Sequence, residues 1–174
     1  MTFALGQLSL TRAAHVDPSL MRVVNLAISR SPIDFGCTED QSRTVAQQAA
    51  KVAAGVSQVT GKQARHMIQP DGYSKAIDLV PWIGGAFDWG DPQWSRMIDG
   101  QRVYLFSEIA EVMRAAAVQL GVKVRWGGCW DHALNDLAPG VPSMRAATAA
   151  YIAKRRAAGH KSSMIDGPHF ELPL

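Results

Sequence analysis

The chain has 174 residues, of which 47% are hydrophobic and 19% charged, enough for one domain with a sizeable core and too apolar for a disordered polypeptide. Its formal charge of +3 makes it mildly basic, short of the marked positive patch typical of nucleic-acid binders, and no nucleic-acid partner is expected. Cys37 and Cys129 are too few and too far apart for a disulfide framework or a structural zinc knuckle, so each is expected as a small buried residue.

At the N-terminus, MTFALGQLSLTRAAH lacks a basic region followed by a long apolar run, so no secretory signal is expected. No segment approaches the roughly 18 to 20 consecutive apolar residues that span a bilayer. Asp17 as a cap and Pro18 in the first turn predict a helix to about Ser29, with Leu20, Val23, Val24, Ala27 and Ile28 on one face. IDFGC reads as a strand. A second helix is expected from about Arg43 to about Lys51, stopping at Gly55. The segment to Lys75 reads as a loop and AIDLVP as the next strand. Residues 82–100 hold Trp82, Trp89 and Trp94 among several Gly, Asp and Pro, the composition of a structured, inserted loop whose tryptophans pack it. A third helix over about 102–120 would turn Phe106, Ile109, Ala110, Met113, Ala117 and Leu120 inward before Gly121 ends it. VKVRW reads as a strand, residues of about 142–161 as a basic, alanine-rich helical insertion, and HFEL as the final strand. Few strands and no regular βαβ units predict an α+β fold in one domain, with a small, mainly antiparallel sheet and helices packed against it.

Four polar residues carry the chemistry. His66 in ARHMIQPDGYSKAIDLVP, Asp78 in the same stretch, and Asp166 with His169 in IDGPHFEL together look like a His/Asp/His zinc site with a further carboxylate to take a proton from water. A catalytic zinc usually keeps three N or O protein ligands and one open position, which lowers the pKa of a water placed there. Pro168 argues against a continuous helix through Asp166 and His169, so both are expected on a turn entering a short strand. Each of these residues alone is more often a solvated or hydrogen-bonded loop group, and other candidates stay open. His132, Asp71 and Cys129 are possible substitute ligands, while His15 and His160 sit where a helix end accounts for them. Trp126 and Trp130 flank a Gly-Gly that allows close backbone approach, so they are expected either as walls of a cleft or as core aromatics.

Several blocks, in order, resemble the zinc peptidases that cleave peptidoglycan stem peptides, the D-alanyl-D-alanine carboxypeptidase and L-alanyl-D-glutamate endopeptidase family, above all its phage endolysin branch. HVDPSLMRVVNLAISRSPIDFGCTED resembles the family's opening helix and first strand; Arg43-Thr44 with Gln48 its Arg-Thr and following Gln; ARH and AIDLVP its Ser-x-His and Ala-x-Asp-Leu; WGGCW its Trp-Gly-Gly-x-Trp; and DGPHFEL its Asp-x-x-His-Phe-Glu ending. The resemblance implies His66, Asp78 and His169 as ligands of one zinc ion and Asp166 as general base and later acid. It implies Arg43 as the residue holding the substrate carbonyl, and Gln48, Trp126 and Trp130 on the substrate side. The implied reaction is cleavage of the L-alanyl to D-glutamate bond; a D-alanyl-D-alanine carboxypeptidase on the same site is the nearest alternative, and a metal-stabilised wall or membrane binding module an alternative of another class. The implied setting is a monomer in the host cytoplasm, released to the wall by holin-type permeabilisation.

The chain also departs from the family pattern. Eleven residues lie between His66 and Asp78, a longer spacing than usual, and Asp71 falls inside it; Asp78 is preferred because Ala76 and Leu79 reproduce the family's flanking residues and AIDLV reads as a strand, whereas Asp71-Gly72 reads as a turn. Ala64 stands where the family has a serine, the pairing of Glu39 or Asp40 with the family's Glu is open, and the stretch from Trp130 to Asp166 is long. In that stretch Lys154, Arg155, Arg156, His160 and Lys161 gather toward the end of the basic helix. The dipole of the helix accounts for that placement; contact with anionic envelope lipid or polymer is the sharper expectation.

Overall fold

Asp17 does what its position predicts: its Oδ1 accepts the Ser19 N–H at 2.8 Å, and Pro18 occupies a first-turn position that needs no donor. The helix that follows, α2 (Pro18–Arg30), buries Leu20, Val23, Val24, Ala27 and Ile28. The computed structural model describes residues 2–39, 41–55, 57, 59–60 and 63–173. Before α2 comes a six-residue helix not expected from sequence, α1 (Gln7–Arg12). It is too short to display an apolar period, and its buried residue is Ser9, whose hydroxyl accepts the Cys37 N–H at 3.1 Å.

The remaining elements differ from the expected ones in instructive ways. Only Phe35–Gly36 of IDFGC pair as a strand, β1. The next helix, α3 (Val45–Ala53), begins after Arg43 because Thr44 and Gln47 form a reciprocal capping box. Arg43 therefore stands on extended chain before the helix, not on it. AIDLVP breaks at the buried Leu79 into β2 (Ala76–Asp78) and β3 (Val80–Ile83), which belong to different sheets. The region of 82–100 is built from hairpins: β3 pairs with β4 (Ala86–Phe87), and β5 (Ser95–Ile98) pairs with β6 (Gln101–Tyr104). Trp94 packs edge-on against Phe106, while Trp82 and Trp89 stay half exposed. Because β6 takes residues 101–104, α4 starts late, at Leu105, and runs to Leu120, where Gly121 adopts φ 64° and ends it. Leu120 is partly exposed and not part of the inward face.

The C-terminal third contains β7 (Arg125–Trp126), β8 (Cys129–Ala133), a short 3₁₀ turn (Leu134–Asp136), α5 (Val141–Ala157) and β9 (His169–Glu171). β8 was not legible in sequence, since Trp-Asp-His-Ala shows no apolar alternation. α5 ends at Ala157, so His160 and Lys161 lie beyond the helix whose end they were expected to share.

Among the described residues the strands pair antiparallel, in three small sheets ordered β1-β3-β4, β2-β9-β7-β8 and β5-β6. The α+β class expected from sequence holds, with the strands divided among sheets instead of gathered in one. α2 packs on α4, and one core joins Leu20, Ile28, Ile77, Phe106, Met113, Trp126 and Phe170. Burying residues of this size is the main stabilising contribution, at about 1.5–3 kcal/mol each. The four-stranded sheet is the part that builds the site, because β2 and β9 each bring one of its residues.

The cap at Asp17 is also an ion pair, with Lys75 Nζ at 2.7 Å. Burial opposes ionisation of Asp17, but Lys75 and Ser19 outweigh it and hold the carboxyl below its ordinary 3.8. Stability from a depressed carboxyl is present above the unfolded value and lost as pH falls through the lower folded value. Asp17→Ala is expected to cost about 1–2 kcal/mol at neutral pH, with the deficit shrinking once wild-type Asp17 is protonated. Urea unfolding of both proteins across that acid range measures it.

Candidate metal centre

In the register of β2 with β9, Asp78 faces His169, Ile77 faces Phe170 and Ala76 faces Glu171. Opposed residues of an antiparallel pair project to the same side, so Asp78 and His169 meet although they lie far apart in sequence. His66 arrives from the loop after α3. Its carbonyl accepts the Arg43 N–H at 2.8 Å, and the Ile68 N–H reaches the Arg43 carbonyl at 2.9 Å. Backbone pairing therefore ties Arg43 and His66 together.

The three side chains converge. His66 Nε2 lies 3.2 Å from Asp78 Oδ1 and 3.3 Å from His169 Nδ1, and His169 Nδ1 lies 3.1 Å from Asp78 Oδ1. Three donors about 2.0–2.1 Å from a tetrahedral ion would be separated by about 3.3–3.4 Å, so the triangle has the size of one tetrahedral face. The other nitrogen of each ring is committed. His66 Nδ1 is 3.0 Å from the Gln41 carbonyl, which can only accept, and His169 Nε2 is 3.0 Å from Glu171 Oε2. Donation on those sides leaves the lone pairs of His66 Nε2 and His169 Nδ1 turned toward each other and toward a carboxylate. That arrangement fits a cation and is otherwise repulsive unless a proton intervenes.

Electrostatics agree with the geometry. Burial alone would push Asp78 up, but the two imidazoles hold its carboxyl far below the ordinary range. Burial alone would depress the His169 imidazolium, yet hydrogen bonds to Asp78 and Glu171 lift it to about 9. The site is a strong trap for positive charge. Glu171, also desolvated, is held low by His169 and by the Arg125 guanidinium that pairs with it.

Asp166 sits on the turn before β9. Its N–H donates to the Gly127 carbonyl at 2.8 Å, and the Gly127 N–H donates to the His169 carbonyl at 2.9 Å. A Cβ on Gly127 would lie 2.3 Å from the Asp166 carbonyl oxygen, so only glycine permits this approach. That is the physical content of the Gly-Gly in WGGCW. The Asp166 carboxylate accepts no hydrogen bond among the described residues; loss of solvent and the nearby Asp78 charge push its pKa up, against the pull of the two histidines.

A cleft of about 790 Å³ opens over the cluster, lined among others by Arg43, Gln48, Lys51, Trp130, Tyr151 and Met164. Arg43 approaches Glu39 at 3.3 Å and Gln48 Oε1 at 3.5 Å, and its Nε has no partner among the described residues. The Gln48 amide is spent on Ser57 Oγ and the Val59 carbonyl, so it braces the cleft wall. Trp130 leans over His169, with its Nε1 bonded to the Met164 carbonyl. Trp126 takes the other of its two expected places. It is buried in the core under the Asp166 turn, its Nε1 donating to the Gly167 carbonyl at 2.7 Å, and does not line the cleft.

The substitute ligands fall away from the cluster. Asp71 is exposed and paired with Lys75, and His132 is exposed beside Asp131. Cys129 is buried, its thiol pushed up to about 12 by burial and Asp131; burial likewise carries Cys37 to about 12. The long loop between His66 and Asp78 folds on itself through the Gln69 N–H to the Tyr73 carbonyl, and the Lys75 N–H donates to the Arg65 carbonyl, so its length does not displace either residue from the cluster. Glu39 pairs with Arg43 and Lys51, while Asp40 lies outside the described residues.

Two supporting residues were missed by sequence reasoning. Gln41 is fully buried, and besides receiving His66 through its carbonyl it accepts the Asp78 N–H on its side-chain oxygen at 2.6 Å. It supplies the support that Ala64 cannot. Glu171 backs His169, and its position two residues on along a strand, on the same face, was the available signal. Removing such a partner typically weakens metal affinity by about 10–100-fold. Glu171→Ala is expected to show that loss in a competition titration against a chelator.

A family model described as phage L-alanyl-D-glutamate peptidase matches residues 1–137. The L-alanyl-D-glutamate peptidase of Escherichia phage T5 is 32% identical over 131 residues, which are 75% of this chain and 84% of that protein. The crystal structure of an L-Ala D-Glu endopeptidase from Serratia marcescens superposes with a TM-score of 0.62 at 26% identity, covering 99% of this chain and 91% of that one. The family-model match stops short of Asp166 and His169, whereas the structural match extends over nearly the whole chain.

Proposed function

The chain belongs to the phage L-alanyl-D-glutamate peptidase family and is a peptidoglycan hydrolase, and from that premise we propose that it cuts the L-alanyl to D-glutamate bond of stem peptides with one zinc ion held by His66, Asp78 and His169. The observation that carries the zinc reading is the triangle of three donor atoms 3.1–3.3 Å apart with the far side of both rings tied to acceptors. The donor set, two imidazoles and one carboxylate, suits zinc with a position left open. Bound there, zinc would supply a Lewis acid that lowers the pKa of water and polarises the scissile carbonyl.

The chain's own residues do the rest. Asp166, lining the cleft beside the cluster with an unengaged carboxylate and a raised pKa, accepts the proton of the attacking water and later delivers it to the leaving amine. Arg43, whose Nε lacks a partner among the described residues, holds the carbonyl oxygen as negative charge develops on it. Trp130, with Tyr151 and Met164 beside it in the cleft, gives an apolar wall for the alanyl side of the substrate. Gln48 supports the opposite wall.

The same reading extends to setting and architecture. No helix among the described residues is long and apolar enough to cross a membrane; the enzyme is made in the host cytoplasm, reaches the wall after holin-type permeabilisation and acts as a monomer. One peptidase domain carries insertions at about 82–100 and 142–161. In the second, Lys154 pairs with Asp131 and Arg145 stacks on Tyr104, while the exposure of Arg156 and Lys161 supports a contact with anionic envelope lipid or polymer.

Mass spectrometry of digests of intact peptidoglycan, with and without chelator and with zinc restored, tests this directly. Expected products are L-alanine-terminated glycan and free stem peptide, lost to chelator and recovered with zinc. Release of terminal D-alanine alone would establish a carboxypeptidase instead, and no cleavage under any condition would favour a binding module. Asp166→Ala should abolish turnover while a bound-zinc assay stays unchanged; His66→Ala, Asp78→Ala and His169→Ala should each lose metal as well as activity. Full activity in Asp166→Ala would sink the base assignment.

A further inference from the structure

Cleavage between L-alanine and D-glutamate puts a glutamyl residue on the leaving side of the scissile bond. That residue carries two carboxyl groups and the peptide continues through only one, so the other remains a free carboxylate close to the reacting centre. Among the described residues the cleft is lined by four lysine and arginine side chains, Arg43, Lys51, Arg65 and Arg125. Three have other work. Arg125 is paired with Glu171 behind His169, Arg65 donates to the Leu172 and Pro173 carbonyls at 2.7 and 3.4 Å, and Arg43 is bound by its backbone to the His66 segment and assigned above to the scissile carbonyl.

Lys51 differs. It lies in the last turn of α3, three residues after Gln48 and therefore on the same helix face. Its Nζ sits 3.3 Å from both oxygens of Glu39, and Glu39 Oε1 sits 3.3 Å from Arg43 Nη2. These contacts are longer than the roughly 2.7–2.9 Å of a strong charge-assisted hydrogen bond, and the Glu39 side chain is 51% exposed. A loosely held carboxylate of the chain itself thus occupies a point in the cleft between two cations. The position accepts a carboxylate, and the long flexible stem of Lys51 can follow an incoming one.

Resting on the bond specificity proposed above, we propose that Lys51 is the specificity residue that binds the free carboxylate of the D-glutamyl residue, with Glu39 holding that subsite together when substrate is absent. The contact forms on substrate binding and persists through the reaction, so its loss is read mainly in KM.

The test uses the zinc-loaded full chain and two synthetic muramoyl stem peptides, identical except that the free glutamyl carboxylate of one is a carboxamide in the other. Wild type is expected to cleave the carboxylate form with kcat/KM about tenfold higher, the difference lying mainly in KM. Lys51→Met should bring the two peptides within about twofold by weakening the carboxylate form alone, and Lys51→Arg should restore much of the preference. Equal cleavage of both peptides by wild type would overturn the subsite, as would a Lys51→Met protein that keeps the full preference or slows both peptides alike. Cleavage of neither peptide at the alanyl-glutamyl bond by wild type would instead overturn the bond specificity, and this inference with it.

Discussion

The site depends on one strand pairing. β2 and β9 are three residues each, and their register places Asp78 opposite His169. A slip of one residue would turn His169 to the other face of the sheet and set Asp78 opposite a residue that cannot ligate. The register is held by Ile77 against Phe170 in the core, with Trp126 of β7 on the other side of Phe170. Apolar packing on one face of a small sheet thereby decides the geometry of polar groups at its end.

Around this pairing, backbone polar groups are used to position side chains. The Gly127 N–H and carbonyl bracket the turn from Asp166 to His169, the Arg43 backbone brackets His66, and the Leu79 N–H donates to the Pro168 carbonyl at 2.9 Å. Gln41 connects the His66 ring to the Asp78 backbone from within the core. Gln41, His66, Leu79 and Gly127 are buried, so leaving one of their polar groups unpaired would cost about 1–3 kcal/mol. The groups left with capacity face the cleft: the Asp166 carboxylate, the Arg43 guanidinium and Lys51. Supporting groups are saturated and the groups facing the cleft are not, the arrangement that preorganisation of a site requires.

Much of this was legible in the residues. Asp17-Pro18 announced α2, because cap chemistry is local. His66, Asp78, Asp166 and His169 stood out through their neighbours, and Asp78 was separable from Asp71 because a strand fixes side-chain direction whereas a turn at Asp71-Gly72 exposes it. Other features were hidden for physical reasons. α1 is too short for a period to appear, β8 lacks alternation, and AIDLVP reads as one strand although Leu79 divides it between two sheets. Helix starts were displaced where a capping box at Thr44 or a hairpin through Gln101–Tyr104 outcompeted propensity.

The amino-acid sequence by itself determined the class of fold, the caps and turns, and the chemical types available for a metal and a proton, since these follow from local patterns and side-chain identity. Only the tertiary structure decided which polar groups meet. It placed Trp126 in the core and Trp130 at the cleft, made Gln41 and Glu171 partners of the two histidines, and set Glu39 between Arg43 and Lys51. The meeting of His66, Asp78 and His169 joins residues up to 103 positions apart, and its distances are set by sheet register and core packing, which no local stretch of sequence encodes alone.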